Sequence, residues 1–289
     1  MSQKIDGLLD GKGFVSVELT SPQTYPPEED GTFHPDRTRD YIIAKAARAS
    51  TGLDLKTPKS DRALIRYLVK NRHTSPTEMP SMTFLIKCPI SIGRQFLRHR
   101  TAKINEFSQR YSDVNEEMGR FDLRTESCLR GQSKMNAQCS VPLEEESKEA
   151  ILAKLEEVEK KLDDLFLDYK ELGRLGLTRE VRRFLLPQST YTMFYYQMDL
   201  NNLMKFLSLR MAPDAQDEIR VYANAMFELA KIYFPVTMEI FEEEMKNITL
   251  DVNAQEMIRN RKISDVVTSK SERVRLEEIA KDLNIELLE

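Results

Sequence analysis

Apolar and polar residues alternate along three stretches of the chain, which predicts three β-strands. The stretches cover residues 14–19, 82–88 and 190–198, and Pro89 closes the second of them. Alternation of this kind leaves one apolar and one polar face, as is typical of antiparallel sheets covered on one side. The pattern therefore predicts one mostly antiparallel sheet built from these strands.

Apolar residues that recur every three or four positions predict helices between and after the strands. The clearest helix covers residues 147–172 and ends at Gly173. Shorter helices are predicted at residues 40–49, 61–70, 91–100, 199–211 and 213–233. A mostly antiparallel central sheet flanked by these helices gives an α+β fold.

The composition changes near residue 247, where the chain becomes polar and charged. Ser269 and Glu272 match a capping box, which predicts a final helix. We therefore expect a catalytic domain over residues 1–246 and a helical C-terminal tail over residues 247–289. A proline-rich loop is expected over residues 21–39.

The charge balance argues against one class of function. The chain has 43 Lys and Arg against 47 Asp and Glu, a net charge of −4, whereas nucleic-acid-binding domains are normally basic. The adjacent Arg98, His99 and Arg100 are therefore a local positive site, which suits a small anionic ligand.

The cysteines favour a reducing compartment. Cys88, Cys128 and Cys139 are odd in number and lack metal-type spacing, so we expect neither a disulfide framework nor a metal site. No apolar run approaches membrane-spanning length and no signal-peptide core is visible at the N-terminus. A cytoplasmic protein without a membrane partner is expected.

The most informative segment lies between residues 98 and 108. Arg98, His99 and Arg100 are followed by seven residues and then Ser108. Guanidinium groups make forked hydrogen bonds to phosphate and carboxylate, so this cluster can hold two anionic ligands side by side. The spacing resembles the signature of the flavin-dependent thymidylate synthases.

Four more segments resemble that family in the same order along the chain. They are residues 73–78 (His-Thr-Ser-Pro-Thr-Glu), 94–98 (Arg-Gln-Phe-Leu-Arg), 179–187 (Arg-Glu-Val-Arg-Arg-Phe-Leu-Leu-Pro) and 202–210 (Asn-Leu-Met-Lys-Phe-Leu-Ser-Leu-Arg). The resemblance extends roughly over residues 40–235 and implies the α+β fold of the thymidylate synthase-complementing type.

The resemblance also implies an activity. It is the reductive methylation of dUMP to dTMP, with methylenetetrahydrofolate as one-carbon donor, NADPH as reductant, FAD as cofactor and tetrahydrofolate as the second product. The expected partners are dUMP, folate and NADPH, without nucleic acid. A homotetramer with sites at subunit interfaces is implied as well.

The family's functional positions map onto this chain residue by residue. Arg210 takes the position of the catalytic residue, which contacts the uracil and stabilises its ionised N3 form. The residues implied to bind dUMP are Gln95, Phe96, Leu97, Arg98, Glu106, Phe107, Ser108, Gln109, Arg110, Arg183 and Arg210. The residues implied to bind FAD are His73, Ser75, Glu78, Arg98, His99, Arg100, Asn105, Glu106, Asp199, Asn201 and Lys205.

The chain departs from the family pattern at three positions. Asp214 stands where a flavin-edge histidine is common, and Lys205 and Asn201 also differ from the usual residues. These departures leave one alternative open, a catalytically altered relative that binds nucleotide or flavin. A nucleic-acid-binding protein that uses the Arg94, Arg98 and Arg100 face is the other alternative, and the acidic balance disfavours it.

Overall fold

An antiparallel sheet lies at the centre of the computed structural model, which describes residues 3–23, 38–50, 57–134, 140–245, 252–263 and 270–287. The strands in chain order are β1 (Lys4–Leu8), β2 (Gly13–Ser21), β3 (Ser81–Pro89), β4 (Lys103–Glu106), β5 (Arg130–Gln132), β6 (Ser140–Pro142) and β7 (Tyr191–Asp199). The main sheet has the order β1-β2-β3-β7-β4, and β5 pairs with β6 in a separate hairpin. Each neighbouring pair is antiparallel, which confirms the predicted sheet.

Helices surround the sheet and confirm the α+β class. They are α1 (Tyr41–Arg48), α2 (Pro58–Lys70), α3 (Ile90–Phe96), α4 (Glu145–Arg174), α5 (Arg179–Arg182), α6 (Leu200–Arg210), α7 (Asp217–Tyr233), α8 (Pro235–Met245), α9 (Val252–Asn260) and α10 (Lys270–Asp282). Short 3₁₀ helices cover Ser75–Glu78, Glu126–Cys128 and Arg183–Leu185. Within the described ranges, no helix is both long enough and apolar enough to cross a membrane.

Strands β3 and β7 form the middle of the sheet and bury one face. Alternate residues of β3 are fully buried, among them Phe84 and Ile86. In the antiparallel register Phe84 pairs with Tyr196 and Ile86 with Phe194, so large side chains meet across the strands on the same face. This face forms the floor of the main core, and the helices α3, α6 and α7 pack against it.

Strands β1 and β4 are not predicted by the sequence pattern because neither buries a continuous face. β4 has three exposed residues and one half-buried residue, as expected for a short edge strand. β1 contains Gly7 at a φ of 74°, where the register with β2 also shifts. β4 takes its conformation from β7, which is distant in sequence, whereas β1 pairs with the neighbouring β2 in a local hairpin.

The prediction of one continuous helix over residues 91–100 is wrong. Helix α3 ends at Phe96, and Leu97 to His99 continue in tight turns in which Arg98 N donates to Gln95 O (3.4 Å) and His99 N to Phe96 O (3.1 Å). The chain then turns back into β4, which must reach β7. The Arg-His-Arg segment therefore lies in a turn between α3 and β4 rather than on a helix.

The prediction that Pro213 and Asp214 open a helix is also wrong. Helix α7 begins at Asp217 with Gln216 as its N-cap, and Ala215 N donates to Ala212 O (3.0 Å) in the preceding turn. Asp217 and Glu218 occupy the first turn of α7, where acidic side chains suit the helix dipole. Helix α8, which starts right after α7 at Pro235, is not predicted by the sequence analysis.

Helices α9 and α10 of the predicted tail share a small apolar cluster of their own. Met257, Leu276 and Ile279 are buried in it, and it is separate from the main core. This agrees with a helical C-terminal tail, although the division at residue 247 remains a prediction. The predicted capping residue Ser269 and the third cysteine, Cys139, lie outside the described residues.

A buried carboxylate joins α8 to the start of α1. Asp40 Oδ1 accepts from Thr237 N (2.8 Å) and from the Thr237 hydroxyl, and Oδ2 accepts from Val236 N (3.3 Å). Thr38 Oγ1 also donates to Oδ2 (2.6 Å). Asp40 thus satisfies the free backbone N–H groups at the beginning of α8 from a distant element.

We expect Asp40→Ala to lower the free energy of unfolding by about 2–3 kcal/mol, because the helix loses its cap and buried N–H groups lose their acceptor. Urea denaturation measures this change. Asp168→Ala, an exposed position on α4, is the matched control and should be close to neutral. Equal midpoints for the two variants would contradict the capping role.

Candidate active site

Three of the predicted site residues meet around the guanidinium group of Arg210. Arg210 Nε donates to His99 Nε2 (3.1 Å), Nη1 to Gln95 Oε1 (3.3 Å) and Nη2 to the Gln95 carbonyl (3.4 Å). Arg210 is the last residue of α6, Gln95 lies on α3, and His99 lies in the turn that follows. We call Gln95, His99 and Arg210 the arginine cluster.

The hydrogen bond to Arg210 fixes the protonation state of His99. A guanidinium group only donates hydrogen bonds, so His99 Nε2 must accept and the ring is neutral with its proton on Nδ1. The partial burial of His99 lowers its pKa, and the positive charge of Arg210 lowers it further. Phe206 supports the ring from the side, with the ring centroids 4.8 Å apart.

Arg210 keeps its charge in a partly buried position. Burial lowers the pKa of its guanidinium, and the charge of Arg98 acts in the same direction. The ordinary pKa of arginine is so high that the group remains protonated. The cluster therefore holds a fixed positive charge in a site with reduced access to water, where it interacts strongly with a developing negative charge.

A second group of predicted residues follows the edge strand β4. Glu106 Oε1 accepts from Thr192 Oγ1 (2.7 Å), and Phe107 N donates to Met193 O (2.8 Å). Glu106 and the half-exposed Leu97 line a small cleft of about 130 Å³. We call the last residue of β4 and those that follow it, together with Arg183, the β4 group; its members are Glu106, Phe107, Ser108, Gln109, Arg110 and Arg183.

One of the two arginines of the β4 group is paired with Glu180. Arg110 Nη2 lies 3.0 Å from Glu180 Oε1. Arg183 follows Glu180 by three positions, and residues at this spacing share a face of a helix. Arg182, by contrast, is buried in an ion pair with Asp113 and packs over a tyrosine ring, so it has a structural role.

The third group lies at the start of α6 and beside the 3₁₀ helix Ser75–Glu78. Asn201 is buried, and its amide donates to Glu78 Oε1 (3.3 Å). Asp199 is the N-cap of α6, as predicted, and accepts from Asn202 N (2.8 Å) and Nδ2 (2.6 Å). His73 and Ser75 are exposed nearby in sequence. We call these five predicted residues the α6 group: His73, Ser75, Glu78, Asp199 and Asn201.

The β4 group and the α6 group lie at different positions along β7. Glu106 pairs with Phe194, whereas Asp199 is the last residue of the strand and pairs with Ser81. Strand residues advance by about 3.3 Å each, so the positions of Phe194 and Asp199 are about 17 Å apart. One copy of the chain therefore presents the predicted site residues as separate groups rather than as one closed pocket.

The remaining predicted residues differ in exposure. Phe96 is fully buried in the core, so within one chain only its backbone can reach a ligand. Arg98, Arg100, Asn105 and Lys205 are exposed. Within the described ranges, the three cations among them have no carboxylate partner. Such a donor set fits an anionic cofactor such as a flavin dinucleotide.

A larger cleft lies next to the arginine cluster. It has a volume of about 620 Å³ and opens between the β5–β6 hairpin and the turn before α7, with Arg130, Asp214, Gln216, Glu218 and Arg220 in its wall. Gln216 connects the two sites, because its Oε1 accepts from Gln95 Nε2 (2.5 Å). Arg130 and Glu218 were not predicted as site residues, and no motif or spacing in the sequence distinguishes them.

Comparison with known proteins identifies the relatives of this chain. Residues 35–236 match the family model described as thymidylate synthase complementing protein. The flavin-dependent thymidylate synthase of Thermus thermophilus is 43% identical over 207 residues, which are 71% of this chain and 73% of that protein. The flavin-dependent thymidylate synthase of Treponema denticola is 40% identical over 226 residues, 76% of this chain and 82% of that protein.

A solved structure of a related protein has the same fold as this chain. The UMP/dUMP methylase PolB from Streptomyces cacaoi, bound with 5-Br dUMP, superposes with a TM-score of 0.65 at 30% identity, covering 83% of this chain and 97% of that one. The same methylase bound with 5-Br UMP superposes with a TM-score of 0.63.

We expect His99 to titrate below the ordinary histidine value of about 6.5. Because its pKa is lower in the folded than in the unfolded state, the stability that it contributes is present above about pH 6.5 and is lost as the pH falls through the folded-state pKa. Side-chain ¹⁵N NMR measures the midpoint, since the chain has 3 histidines and His99→Asn assigns the signal. In Arg210→Ala the midpoint should rise, because the neighbouring positive charge is removed. A wild-type midpoint at or above 6.5 would contradict the neutral, Arg210-bound form.

Proposed function

Because the chain belongs to the family of flavin-dependent thymidylate synthases, and is therefore a methyltransferase, we propose that it converts dUMP to dTMP by reductive methylation. Methylenetetrahydrofolate donates the one-carbon unit, NADPH is the reductant, and tetrahydrofolate is released. The observation that carries this proposal is the arginine cluster, in which the family's Arg-His-Arg segment and the end of α6 meet at one guanidinium group.

Arg210 acts on the uracil ring in this proposal. Methylation at C5 needs electron density at that carbon, and loss of the N3 proton supplies it. A positive charge next to N3 stabilises the anion, and it does so best when the charge is held in place before the reaction. His99 and Gln95 hold Arg210 in this way, through bonds to all three guanidinium nitrogens.

The dUMP phosphate needs several donors that converge. Arg110 pairs with Glu180, Arg183 follows Glu180 by three positions, and Ser108 lies two positions before Arg110. Guanidinium groups bind phosphate through paired hydrogen bonds. The proposed phosphate donors are Gln95, Ser108, Arg110 and Arg183.

The flavin side of the site consists of the α6 group and the exposed cations. Arg98, Arg100 and Lys205 provide positive charge for the cofactor's diphosphate, and Glu78 and Asn201 form a polar pair at the start of α6. A bound flavin would supply the hydride chemistry that amino-acid side chains lack. The same exposed cations suit the anionic tail of the folate.

We propose that the working form is a homotetramer whose sites lie at subunit interfaces. The separation of the β4 and α6 groups along β7 supports a site that another copy completes. Exposed apolar side chains on α4 and after α5 supply surface for such contacts: Leu167, Leu175 and Phe184 are 61%, 74% and 81% exposed.

The first experiment is tritium release from [5-³H]dUMP by the flavin-loaded protein. We expect release that requires both NADPH and methylenetetrahydrofolate, because methylation replaces the hydrogen at C5. Since the structural relative is a methylase of both UMP and dUMP, [5-³H]UMP should be compared at equal concentration. Flavin binding without tritium release from either nucleotide would favour the catalytically altered relative. Steeply salt-dependent binding to DNA or RNA would favour a nucleic-acid-binding protein.

Arg210→Ala should lose tritium release while it retains bound flavin, because the fixed charge beside the uracil is removed and, among the proposed flavin-side residues, only His99 loses a contact. The loss should reach about 100-fold or more, as for removal of other preorganised charge-stabilising donors. Arg273→Ala, an exposed position on α10, is the control for loss of an arginine. Loss of flavin from Arg210→Ala would place Arg210 in the cofactor site instead.

We expect that none of the cysteines serves as a nucleophile, so Cys88→Ser, Cys128→Ser and Cys139→Ser should each retain turnover. Cys88 is fully buried in β3, and burial raises the pKa of its thiol; burial also raises the pKa of Cys128. Both thiols are therefore poor sources of the reactive thiolate. A folded and flavin-loaded single variant without activity would refute this scheme, and flavin absorbance together with thermal melting checks both conditions.

A further inference from the structure

We propose that Glu218 and Arg130 are positioning residues that orient Arg210 through Gln216 and Gln95. The inference rests on the proposed function of Arg210 at the uracil. It adds a carboxylate on α7 and an arginine on β5 to the reaction machinery, neither of which touches the substrate.

A continuous series of hydrogen bonds carries the proposal. Gln95 Oε1 accepts from Arg210 Nη1 (3.3 Å), and Gln95 Nε2 donates to Gln216 Oε1 (2.5 Å). Gln216 Nε2 in turn donates to Glu218 Oε2 (2.7 Å), and Glu218 Oε1 accepts from Arg130 Nη2 (2.5 Å). We call this series the amide relay.

The residues at the two ends of the amide relay determine which way each glutamine amide must face. Arg210 can only donate and an ionised Glu218 can only accept, whereas each glutamine amide can do both. Gln95 must therefore turn its oxygen toward Arg210, and Gln216 must turn its oxygen toward Gln95. With a neutral amide in place of Glu218, Gln216 could rotate its side chain by half a turn. Gln95 would then face a competing donor.

The far end of the relay is firmly anchored. Glu218 is buried, with 6% of its surface exposed, in the first turn of α7. Arg130 also pairs with Asp217, and Asp217 pairs with Arg220. A buried ion pair of this kind adds little net stability, because desolvation offsets the attraction. Its clearest effect here is on the orientation of Gln216.

The test is a double-mutant cycle between the two ends of the relay. We expect Glu218→Gln to lower kcat for tritium release about tenfold, the effect of losing one charged hydrogen bond, with flavin content unchanged and the protein folded at the assay temperature. In a Gln95→Ala background, where the relay is already broken, the same substitution should change kcat less than about twofold. Glu228→Gln, an exposed position on the same helix, is the matched control.

Several results would overturn the proposal. A tenfold loss in both backgrounds would indicate a role that does not pass through Gln95, and no loss in the native background would show that Arg210 does not need the relay. If Glu218→Gln fails to fold, Arg130→Lys replaces it in the cycle, because lysine keeps the charge but loses the forked geometry.

A second measurement does not depend on turnover. The ¹⁵N signal of His99 Nε2 reports the bond from Arg210, and Glu218→Gln should shift it and raise its titration midpoint as Arg210 moves away. An unchanged signal would refute the relay whether or not the protein is active. Absence of tritium release by the wild-type protein, together with a shifted His99 signal in the variant, would refute the proposed function and leave the relay intact.

Discussion

The packing of Phe96 is the constraint on which the rest of the site depends. Its ring is fully buried and stacks on Phe206 of α6, with the centroids 5.2 Å apart, and Tyr196 of β7 packs edge-on at 5.3 Å. The Tyr196 hydroxyl also donates to the Phe96 carbonyl (3.3 Å). These contacts fix the end of α3 against both the sheet and α6. Gln95 precedes Phe96 directly and His99 follows it by one tight turn, so both side chains reach the end of α6 where Arg210 lies.

This arrangement explains why the Arg-His-Arg segment is a turn and not the end of a helix. A helix continued through Arg100 would carry the chain past the edge of the sheet, whereas β4 must start at Lys103 to pair with Gln197 on β7. The turn also separates the three side chains. His99 faces inward to Arg210 and Phe206, while Arg98 and Arg100 remain exposed. The three adjacent residues thus contribute to two different surfaces of the protein.

The sequence predicts the central part of the fold well and its edges poorly, for physical reasons. Strands β3 and β7 bury every second residue, and α4 has a half-buried apolar stripe, so their periodicity is visible in the sequence. β4 owes its conformation to β7, far along the chain, whereas β1, β5 and β6 are short strands of local hairpins that bury few side chains, so none of them carries such a pattern. The same limit applies to the site. Resemblance identifies Gln95, His99 and Arg210 one by one, but Gln95 and Arg210 are 115 positions apart, and only the packing of α3 on α6 brings them together.

The residues beyond the arginine cluster show why a site can depend on groups that no motif marks. A charge far from the substrate exerts little direct force through solvent, since screening and the high dielectric constant of water weaken it. Two neutral amides in series transmit something else, namely the direction in which each donor and acceptor points. Arg130 and Glu218 act on Arg210 only in this sense, and their effect requires that Gln95 and Gln216 lie between them. Each of these glutamines therefore has one required amide orientation, because the two together link a group that only donates to a group that only accepts.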